Sequence, residues 1–282
     1  MNKFGYLGPQ GTFSQFALKK YLENVSERFN TIQCGSILQL YNAIKDNDVN
    51  KIIVPYENSV EGAVNTSLDH LINLDDSLSI TDEIIIPIEQ SILAKQPISL
   101  DKVSDIFSHP QPIAQCQNFI NTHCINAKLH NVVSTARAAK LIQEDNLTYS
   151  AVIGHESLAD IYSLNIIKRQ INDKKNNCTR FVIISKDKTL PTNNDLTSIV
   201  FSTIKDTPGS LYAILGEFAK SNINLTKILS RPRKNLLGEY LFFIEAEGHR
   251  SDKKLKEILS RVKKKSSFFK WLGSYKRGEN HA

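Results

Sequence analysis

The spacing of apolar and polar residues alternates between strand-like and helix-like segments over the first 185 positions. Residues 3–7 form a short apolar strand that ends at the turn Gly8-Pro9-Gln10-Gly11. Apolar residues then recur every three or four positions, which predicts a helix. A continuous apolar strand at 51–55 ends at a proline. Strands separated by helices in this way indicate a largely parallel sheet with helices on both faces.

The same alternation continues with strands predicted at 78–94, 105–107, 127–132 and 150–153. Helices are predicted between most of these strands. We therefore expect an α/β fold with two lobes. One lobe comprises residues 1–78 together with 165–185, and the other comprises 79–164. A cleft between two such lobes is a common place for a small ligand.

The pattern changes after Ile184. Residues 186–196 are polar and are expected to form a linker. Beyond them, the order strand, helix, strand, strand, helix, strand is predicted at 197–204, 209–220, 223–230, 238–246, 251–264 and 267–274. This βαββαβ order is typical of a ferredoxin-like antiparallel sheet with two helices on one face. A unit of residues 197–275 leaves sheet edges exposed, so we expect it to pair with a second copy.

Charge and hydropathy exclude two classes of function. The chain has 282 residues and a formal net charge of +6, and its C-terminal lysines alternate with apolar residues at helical spacing. This indicates the solvated face of an amphipathic helix, and we expect no nucleic-acid binding. No apolar run reaches membrane-spanning length, and the N-terminus lacks the features of a signal peptide, so a cytoplasmic protein without a membrane partner is expected.

The cysteines of the chain are Cys34, Cys116, Cys124 and Cys178. They form no C-x-x-C pair and no metal-ligand grouping with histidine. In a cytosolic chain, this spacing favours reduced thiols over a disulfide framework or a structural zinc. We therefore expect no metal site.

Four polar clusters, at 8–14, 55–62, 108–111 and 176–181, lie at ends of predicted strands. Strand ends are where α/β folds place their ligands. In the last cluster, Thr179 and Arg180 lead into the apolar run Val182-Ile183-Ile184. The planar guanidinium of Arg180 is suited to a carboxylate or a phosphate. The alternative is an ordinary loop entering a strand.

The second cluster places a carboxylate next to hydrogen-bonding groups. Asn58 and Ser59 can orient a substrate, whereas Glu57 can act as an acid if burial raises its pKa. Plain turn residues are an equal alternative. His109 is either a loop residue at a helix start or a catalytic histidine. In the first cluster, backbone N–H groups at a helix N-terminus near Thr12 offer a carboxylate site.

Taken together, these motifs resemble those of a known family. Gly8-Pro9-Gln10-Gly11-Thr12-Phe13-Ser14, Pro55-Tyr56-Glu57-Asn58-Ser59, Ser108-His109-Pro110-Gln111 and Asn177-Cys178-Thr179-Arg180-Phe181 occur in the order seen in prephenate dehydratases. The C-terminal unit is similar to the ACT regulatory domain of those enzymes. The resemblance extends from Gly5 to about Ser274 and suggests the monofunctional form, without a preceding chorismate mutase segment. It implies a catalytic domain that resembles a periplasmic-binding-protein fold.

The resemblance implies a cofactor-free lyase that converts prephenate to phenylpyruvate in phenylalanine biosynthesis, with loss of water and carbon dioxide. It assigns Thr179 an essential role near the leaving hydroxyl, and it leaves Glu57 as the reserve proton donor. Arg180 and the helix donors are expected to hold the two carboxylates of the substrate, and Asn58 and Ser59 to orient it. The remaining expected substrate-binding residues are Gly11, Thr12, Ser14, Ser108, Gln111 and Phe181.

The same resemblance implies feedback inhibition by L-phenylalanine, bound at an interface between subunits of a homodimer or homotetramer. The matching positions are Gly209, Ser210, Leu211, Asn224, Ser230, Arg231 and Pro232. Two residues depart from the family pattern. Ser210 stands where the family usually has alanine, and Leu229 stands where it usually has glutamate. These departures leave the strength of inhibition open.

Two alternative functions remain open at this point. Arogenate dehydratase acts on a substrate with an amino group in place of the ketone, and sequence motifs separate it poorly from prephenate dehydratase. A non-catalytic amino-acid sensor would bind a ligand in the cleft and report it through the ACT domain. The hydroxyl of Thr179 beside Glu57-Asn58-Ser59 favours an enzyme, because a sensor has no need of a group at the reacting position.

Overall fold

The computed structural model describes residues 2–144, 147–205, 207–233 and 239–278. The first part of the chain alternates strands and helices as predicted. Its elements are β1 (Asn2–Leu7), α1 (Phe13–Glu23), β2 (Phe29–Cys34), α2 (Ile37–Lys45), β3 (Lys51–Asn58), β4 (Gly62–Ala63), α3 (Asn65–Ile72) and β5 (Ser79–Pro87). Strand β1 pairs in parallel with β2 and β3, so this part forms the parallel core of the first lobe.

The second lobe is built around a smaller sheet. Its elements are β6 (Ser91–Ala94), a 3₁₀ turn (Leu100–Lys102), β7 (Asp105–Ser108), α4 (Pro110–Gln115), α5 (Gln117–His123), β8 (Lys128–Asn131), α6 (Thr135–Glu144), β9 (Ser150–Gly154), α7 (Leu158–Tyr162) and β10 (Asn165–Lys168). Among the described residues, the strand order is β10-β6-β9-β7-β8. The chain then returns to the first lobe through β11 (Cys178–Ser185), which lies between β3 and β5.

The C-terminal domain has the predicted βαββαβ order. Its elements are β12 (Asp195–Thr203), α8 (Ser210–Lys220), β13 (Leu225–Pro232), β14 (Tyr240–Glu247), α9 (Lys253–Lys264) and β15 (Ser266–Lys276). The strand order is β13-β14-β12-β15, and the pairs within it are antiparallel. Both helices pack with Ile199, Phe201 and Ile244 of the sheet into one apolar core. The sequence also predicts a hairpin turn at Gly238-Glu239 between the two middle strands, and Gly238 lies outside the described residues.

The sheets of the first lobe and the C-terminal domain are continuous. Gly273 of β15 pairs in parallel with Ile80 of β5, so the described strands of both domains form one sheet. Only glycine fits at this junction, because a Cβ at position 273 would lie 2.2 Å from the carbonyl oxygen of Ile80. The sequence predicted two domains joined by a linker and gave no sign of this pairing.

The structure also differs from the predicted division of the chain. The expected long strand at 78–94 is two strands, and β5 (Ser79–Pro87) belongs to the first lobe's sheet. Conversely, β10 (Asn165–Lys168) pairs with β6 in the second lobe rather than with the first. The end of the expected linker, at 195–196, already forms the start of β12. The prediction of one long strand at 78–94 was wrong because the pattern of residues remains strand-like where the chain crosses from one lobe to the other.

Candidate active site

A cleft of about 520 Å³ lies between the two lobes. It is lined on one side by the start of α1, the end of β3 and the start of β11, and on the other by the starts of α4 and α6. Four of the predicted substrate-binding residues line it, and so do two of the predicted catalytic residues: Thr12, Ser14, Gln111, Phe181, Asn58 and Thr179. The sequence motifs therefore converge on one space, although they are up to 170 residues apart along the chain.

Thr179 lies at the base of the cleft. It is 8% exposed, and its Oγ1 accepts a hydrogen bond of 2.9 Å from Nδ2 of Asn58. The two residues stand directly opposite each other on β11 and β3. Because the oxygen of Thr179 accepts here, its own O–H is left to donate into the cleft.

The loop after β3 fixes the orientation of the Asn58 amide. Oδ1 of Asn58 accepts hydrogen bonds from the backbone N–H groups of Val60 (2.9 Å) and Glu61 (3.0 Å). Nδ2 must then be the donor, and it also donates to Oδ1 of Asn177 at 2.8 Å. The direction of the bond to Thr179 is therefore set by the backbone.

Ser59 has a structural role in the same loop. Its hydroxyl accepts a hydrogen bond of 3.0 Å from the backbone N–H of Cys178, and its own N–H donates to the carbonyl of Cys178 at 2.9 Å. Ser59 is exposed and does not line the cleft. It ties the end of β3 to the start of β11 and so supports the pair above it.

The N-terminus of α1 opens onto the cleft from the first lobe. Thr12 caps this helix, accepting from the N–H of Gln15 at 3.4 Å and donating to the carbonyl of Leu7 at 2.9 Å. Ser14 follows in the first turn and lines the cleft. Gly11 does not line it: its φ of +85° and its contact with the second lobe, where a Cβ would lie 2.6 Å from Leu158, explain the glycine.

The N-terminus of α6 opens onto the same cleft from the second lobe. Ser134 caps α6 by accepting a hydrogen bond of 3.1 Å from the N–H of Arg137, and both Ser134 and Thr135 line the cleft. The sequence analysis did not select these two residues as site residues. The available signal was a capping serine directly between a predicted strand and a predicted helix.

Cations are missing from the described lining of the cleft, which contains neither lysine nor arginine. The carboxylate of Glu61 is part of this lining, so the positive partial charges that face the cleft are those of the N-termini of α1 and α6, where backbone N–H groups carry the positive end of the helix dipole. Such ends bind carboxylates without a formal positive charge. The cleft is suited to an anion held by neutral donors.

Glu61 connects the two lobes across the mouth of the cleft. Its Oε1 accepts hydrogen bonds from Nε2 of Gln111 at 2.7 Å and from Nε2 of Gln115 at 3.2 Å. Gln115 in turn accepts from Nε2 of Gln90 at 3.2 Å. The sequence predicted Gln111 as a substrate ligand, but its amide donor is engaged by Glu61. These contacts join the two lobes directly.

Two residues of the third cluster have structural partners. Ser108 is fully buried, and its hydroxyl donates to the carbonyl of Ile153 at 2.6 Å, which joins β7 to β9. It does not line the cleft, contrary to the expected role in substrate binding. His109 lines the cleft, and its Nδ1 accepts a hydrogen bond of 3.3 Å from the N–H of Gln111 at the start of α4.

Arg180 and Glu57, both predicted to be catalytic, lie on the other side of the sheet. Arg180 forms an ion pair with Glu245 of β14. Glu57 lies 3.0 Å from Nζ of Lys227 of β13. Neither residue lines the cleft, so the predicted contact of Arg180 with a substrate carboxylate and the predicted donor role of Glu57 are corrected.

A β-bulge explains this placement. The register pairs Arg180 with Glu57 and Phe181 with Pro55, which leaves Tyr56 as an extra residue in β3. Two residues of β3 then oppose one of β11, and both Tyr56 and Glu57 contact Lys227 on the side away from the cleft. On β11, the ordinary alternation of side chains is sufficient to place Thr179 and Arg180 on opposite faces of the sheet.

The candidate ligand residues of the C-terminal domain lie in two places. Gly209, with φ of +87°, precedes α8, and Ser210 and Leu211 open that helix. The other group lies at the start of β13 and along it: Asn224, Ser230, Arg231 and Pro232. Arg231 contacts the first lobe, where its Nη1 lies 2.6 Å from Oδ1 of Asp69. Leu229 packs against the apolar core between the domains, which accounts for an apolar residue at that position.

Other classes of site are not evident in the described part of the chain. No cluster of three or more histidine, cysteine, aspartate or glutamate side chains suited to a metal ion is found there. In the same residues, no helix is long and apolar enough to span a membrane.

Comparisons with known proteins agree with this architecture. The family model of prephenate dehydratase matches residues 4–189, and that of the ACT domain matches residues 197–264. A prephenate dehydratase from Methanocaldococcus jannaschii is 38% identical over 96% of both chains, and a bifunctional chorismate mutase/prephenate dehydratase from Aquifex aeolicus is 37% identical over 97% of this chain and 73% of its own. The crystal structure of an Arthrobacter aurescens prephenate dehydratase in complex with L-Phe has a TM-score of 0.87 at 33% identity, covering 98% of this chain and 90% of that one. The chain therefore belongs to the prephenate dehydratase family and carries an ACT domain, which confirms the resemblance found in the motifs.

Proposed function

We propose that this protein converts prephenate to phenylpyruvate in the cleft between its lobes, and that its ACT domain subjects the reaction to inhibition by L-phenylalanine. The observation that carries the catalytic part is the pair formed by Thr179 and Asn58. The amide donates to the oxygen of Thr179, which frees the threonine O–H for a ligand. A positioned hydroxyl donor is what the departing ring hydroxyl of prephenate requires.

Substrate binding relies on the two helix N-termini. Prephenate carries two carboxylates, and the cleft presents the start of α1 on one side and the start of α6 on the other. We assign one carboxylate to the backbone donors near Ser14 and the other to those near Thr135. The apolar lining residues Phe13, Ile88 and Phe181 provide surface for the ring.

The reaction needs one proton and no oxidant. The bond from the ring carbon to its carboxylate breaks and releases carbon dioxide, its electron pair forms the aromatic ring, and the hydroxyl leaves with a proton as water. A threonine is a poor free acid, so Thr179 acts by donating a hydrogen bond to the leaving oxygen as negative charge develops on it. Aromaticity of the product supplies the driving force, and positioning is the main task of the protein.

We infer the regulation and the assembly of this protein by comparison with its family. The Arthrobacter aurescens relative was solved with L-Phe, and we assign the corresponding site of this chain to Gly209, Ser210, Leu211, Asn224, Ser230, Arg231 and Pro232. Strand β13 is a terminal strand of the described sheet, and we infer that copies of the chain pair through this strand in a homodimer or a homotetramer. We also propose a cytoplasmic location, which is the usual one for a biosynthetic enzyme of this kind.

Turnover assays test the catalytic proposal. The protein is incubated with prephenate or with arogenate, and phenylpyruvate or phenylalanine is measured. We expect turnover of prephenate, and we expect Thr179→Ala to lower kcat by about 10²- to 10³-fold, the usual cost of removing one hydrogen-bond donor that stabilises developing charge. Turnover of neither compound would favour the amino-acid sensor, whereas turnover of arogenate alone would identify an arogenate dehydratase.

A further inference from the structure

A cluster of charged side chains lies on the side of β3 and β11 away from the cleft, between the catalytic and ACT domains. Its cations are Arg180 and Lys227, and its carboxylates belong to Glu57, Glu83 and Glu245. Glu245 and Lys227 lie on strands β14 and β13 of the ACT domain, and the other three lie in the catalytic domain. We call this set the interdomain cluster. It joins the domains by charge in addition to the shared sheet.

Arg180 is the centre of the interdomain cluster. Its guanidinium forms an ion pair with Glu245, and its Nε lies 3.5 Å from Oε2 of Glu83. Its Cζ lies 4.7 Å from the ring centre of Tyr56, and Nζ of Lys227 lies 4.2 Å from the same ring. Both cations thus lie at distances from the ring of Tyr56 that are typical of cation–π contacts.

Two members of the interdomain cluster are chain neighbours of the pair in the cleft. Arg180 follows Thr179 on β11, and Glu57 precedes Asn58 on β3. The register sets Thr179 opposite Asn58 and Arg180 opposite Glu57. A displacement of the charged residues therefore reaches the hydrogen bond in the cleft through a single peptide unit on each strand. Catalytic groups tolerate only about 0.5 Å of such displacement.

The interdomain cluster is crowded and incompletely hydrogen-bonded. Within the described residues, Arg180 Nε, Glu83 Oε2 and Glu245 Oε2 are buried without a hydrogen-bond partner. Burial raises the pKa of Glu83, an effect that Arg180 opposes and Glu245 increases. Burial lowers the pKa of Lys227, although Glu245 and Glu57 oppose this change. Partly satisfied buried charges are costly, so small movements of the strands change their energy strongly.

Lys227 connects this cluster to the candidate ligand site of the ACT domain. It lies in β13, three residues after Asn224 and three before Ser230. The pairing of β13 with β14 is irregular between Leu225 and Lys227. The 3.0 Å contact of Lys227 with Glu57 is a direct bond from this strand to the catalytic domain.

We propose that Arg180, held by Glu245 and Glu83, positions Thr179 and Asn58 for catalysis, and that the contact of Lys227 with Glu57 has the separate role of carrying the effect of an amino acid bound at the ACT domain to the cleft. Arg180 is then a positioning residue that acts through Thr179. This inference rests on the proposed function, because it names the regulation of that same cleft.

The first test removes the charge of Lys227 and keeps its aliphatic stem. In Lys227→Met, we expect kcat and KM for prephenate to stay within about threefold of the wild-type values. We also expect calorimetry to show that this variant still binds phenylalanine. The phenylalanine concentration for half-inhibition should rise at least tenfold, a change within the usual range of allosteric coupling. Lys254→Met, at an exposed position of α9, is the matched control and should behave as wild type. Unchanged inhibition of Lys227→Met would overturn the regulatory link.

The second test separates positioning from substrate binding. In Arg180→Met, we expect kcat to fall at least tenfold while KM changes less than threefold, with partial recovery of kcat in Arg180→Lys. A guanidinium that bound the substrate carboxylate would instead raise KM, and that result would overturn the positioning role. Glu245→Gln keeps the shape of the side chain and should lower kcat in the same direction. Glu245→Gln therefore tests the positioning role of Arg180 even if Arg180→Met fails to fold.

Hydrogen exchange supplies a readout that does not need turnover. Phenylalanine should change exchange in the peptide that spans β11 of the wild-type protein, and it should leave that peptide unchanged in Lys227→Met. No response of β11 in the wild type would overturn the coupling. A response without turnover of prephenate or arogenate would support the coupling and reject only the proposed function.

Discussion

The cleft and the interdomain cluster lie on opposite faces of the same two strands, and they differ in how their hydrogen-bonding groups are used. On the cleft face, Thr179 and Asn58 are uncharged, and the threonine O–H is left for a ligand. On the other face, Arg180 and its carboxylate partners are ionisable and are engaged with one another. The capacity to bind a substrate therefore resides in the neutral face, where donors are free, and not where formal charge is greatest.

The two faces also have different tolerance to change. A buried ion pair is costly to break, because removal of one partner leaves the other charge desolvated and unpaired. The neutral pair carries no such penalty, so its loss affects chemistry more than folding. Substitutions on the two faces should consequently separate stability from activity.

The largest effect on stability is expected from Glu245→Ala. This change removes the carboxylate that lies nearest to the buried Arg180, and we expect the free energy of unfolding to fall by about 3–5 kcal/mol. Urea denaturation followed by circular dichroism measures it. Thr179→Ala is the counterpart on the cleft face and should cost only about 1 kcal/mol. Equal losses in the two variants would contradict the difference between the faces.

Asn58→Asp should affect activity next most strongly. The carboxylate keeps the acceptor for Val60 and Glu61, but it cannot donate to Thr179. The threonine O–H then donates to the new carboxylate, and we expect kcat to fall about 100-fold with a smaller change in KM. Steady-state kinetics with prephenate measure both. Asn42→Asp, an exposed change on α2, is the control, and a kcat of Asn58→Asp near the wild-type value would show that the amide does not direct the threonine proton.

Glu61→Gln tests the bond between the lobes and should have a moderate effect. It replaces charge-assisted hydrogen bonds to Gln111 and Gln115 with neutral ones, which are weaker by about 1 kcal/mol. We expect KM for prephenate to rise about fivefold with kcat largely kept, since the lobes close less readily. Glu257→Gln on α9 is the control. A loss of kcat with constant KM would instead give Glu61 a part in the chemistry.

The smallest effect concerns His155 and acid pH. Its ring packs against Phe13 and Phe16 of the other lobe, and burial lowers its pKa, although Glu156 and Glu89 oppose this. The stability that His155 contributes is present above its ordinary pKa of about 6.5 and is lost as the pH falls through the lower pKa of the folded state. Thermal melting between pH 7.5 and about 5 should show this slope, and His155→Phe should reduce it. An equal slope in both proteins would exclude His155 as its source.

Much of the fold and part of the site could be predicted from the sequence. The βαββαβ unit was visible because each strand and helix has its own period and its own turn signals. Thr12, Asn58 and Thr179 were found because each stands at a junction between elements, where the local pattern is informative. The period of two along β11 also indicates that Thr179 and Phe181 share a face while Arg180 does not.

The ion-pair partner of Arg180 could not be predicted from the local sequence pattern. Its ion-pair partner Glu245 lies 65 residues further along the chain, on a strand of another domain. The bulge at Tyr56 that turns Glu57 away from the cleft depends on the register with β11, which no local pattern of β3 reveals. Ser134 was not selected as a site residue, since its place in the cleft depends on how the second lobe faces the first.

The junction of β15 with β5 has a practical consequence for engineering. A chain shortened after Ser185, as a route to an enzyme without its regulatory domain, would turn β5 into an open edge strand. It would also uncover the apolar surface that Leu272, Tyr275 and Phe243 now cover. Exposed edges and apolar patches of this kind promote aggregation. Release from the proposed feedback is therefore better sought by a point substitution such as Lys227→Met than by truncation.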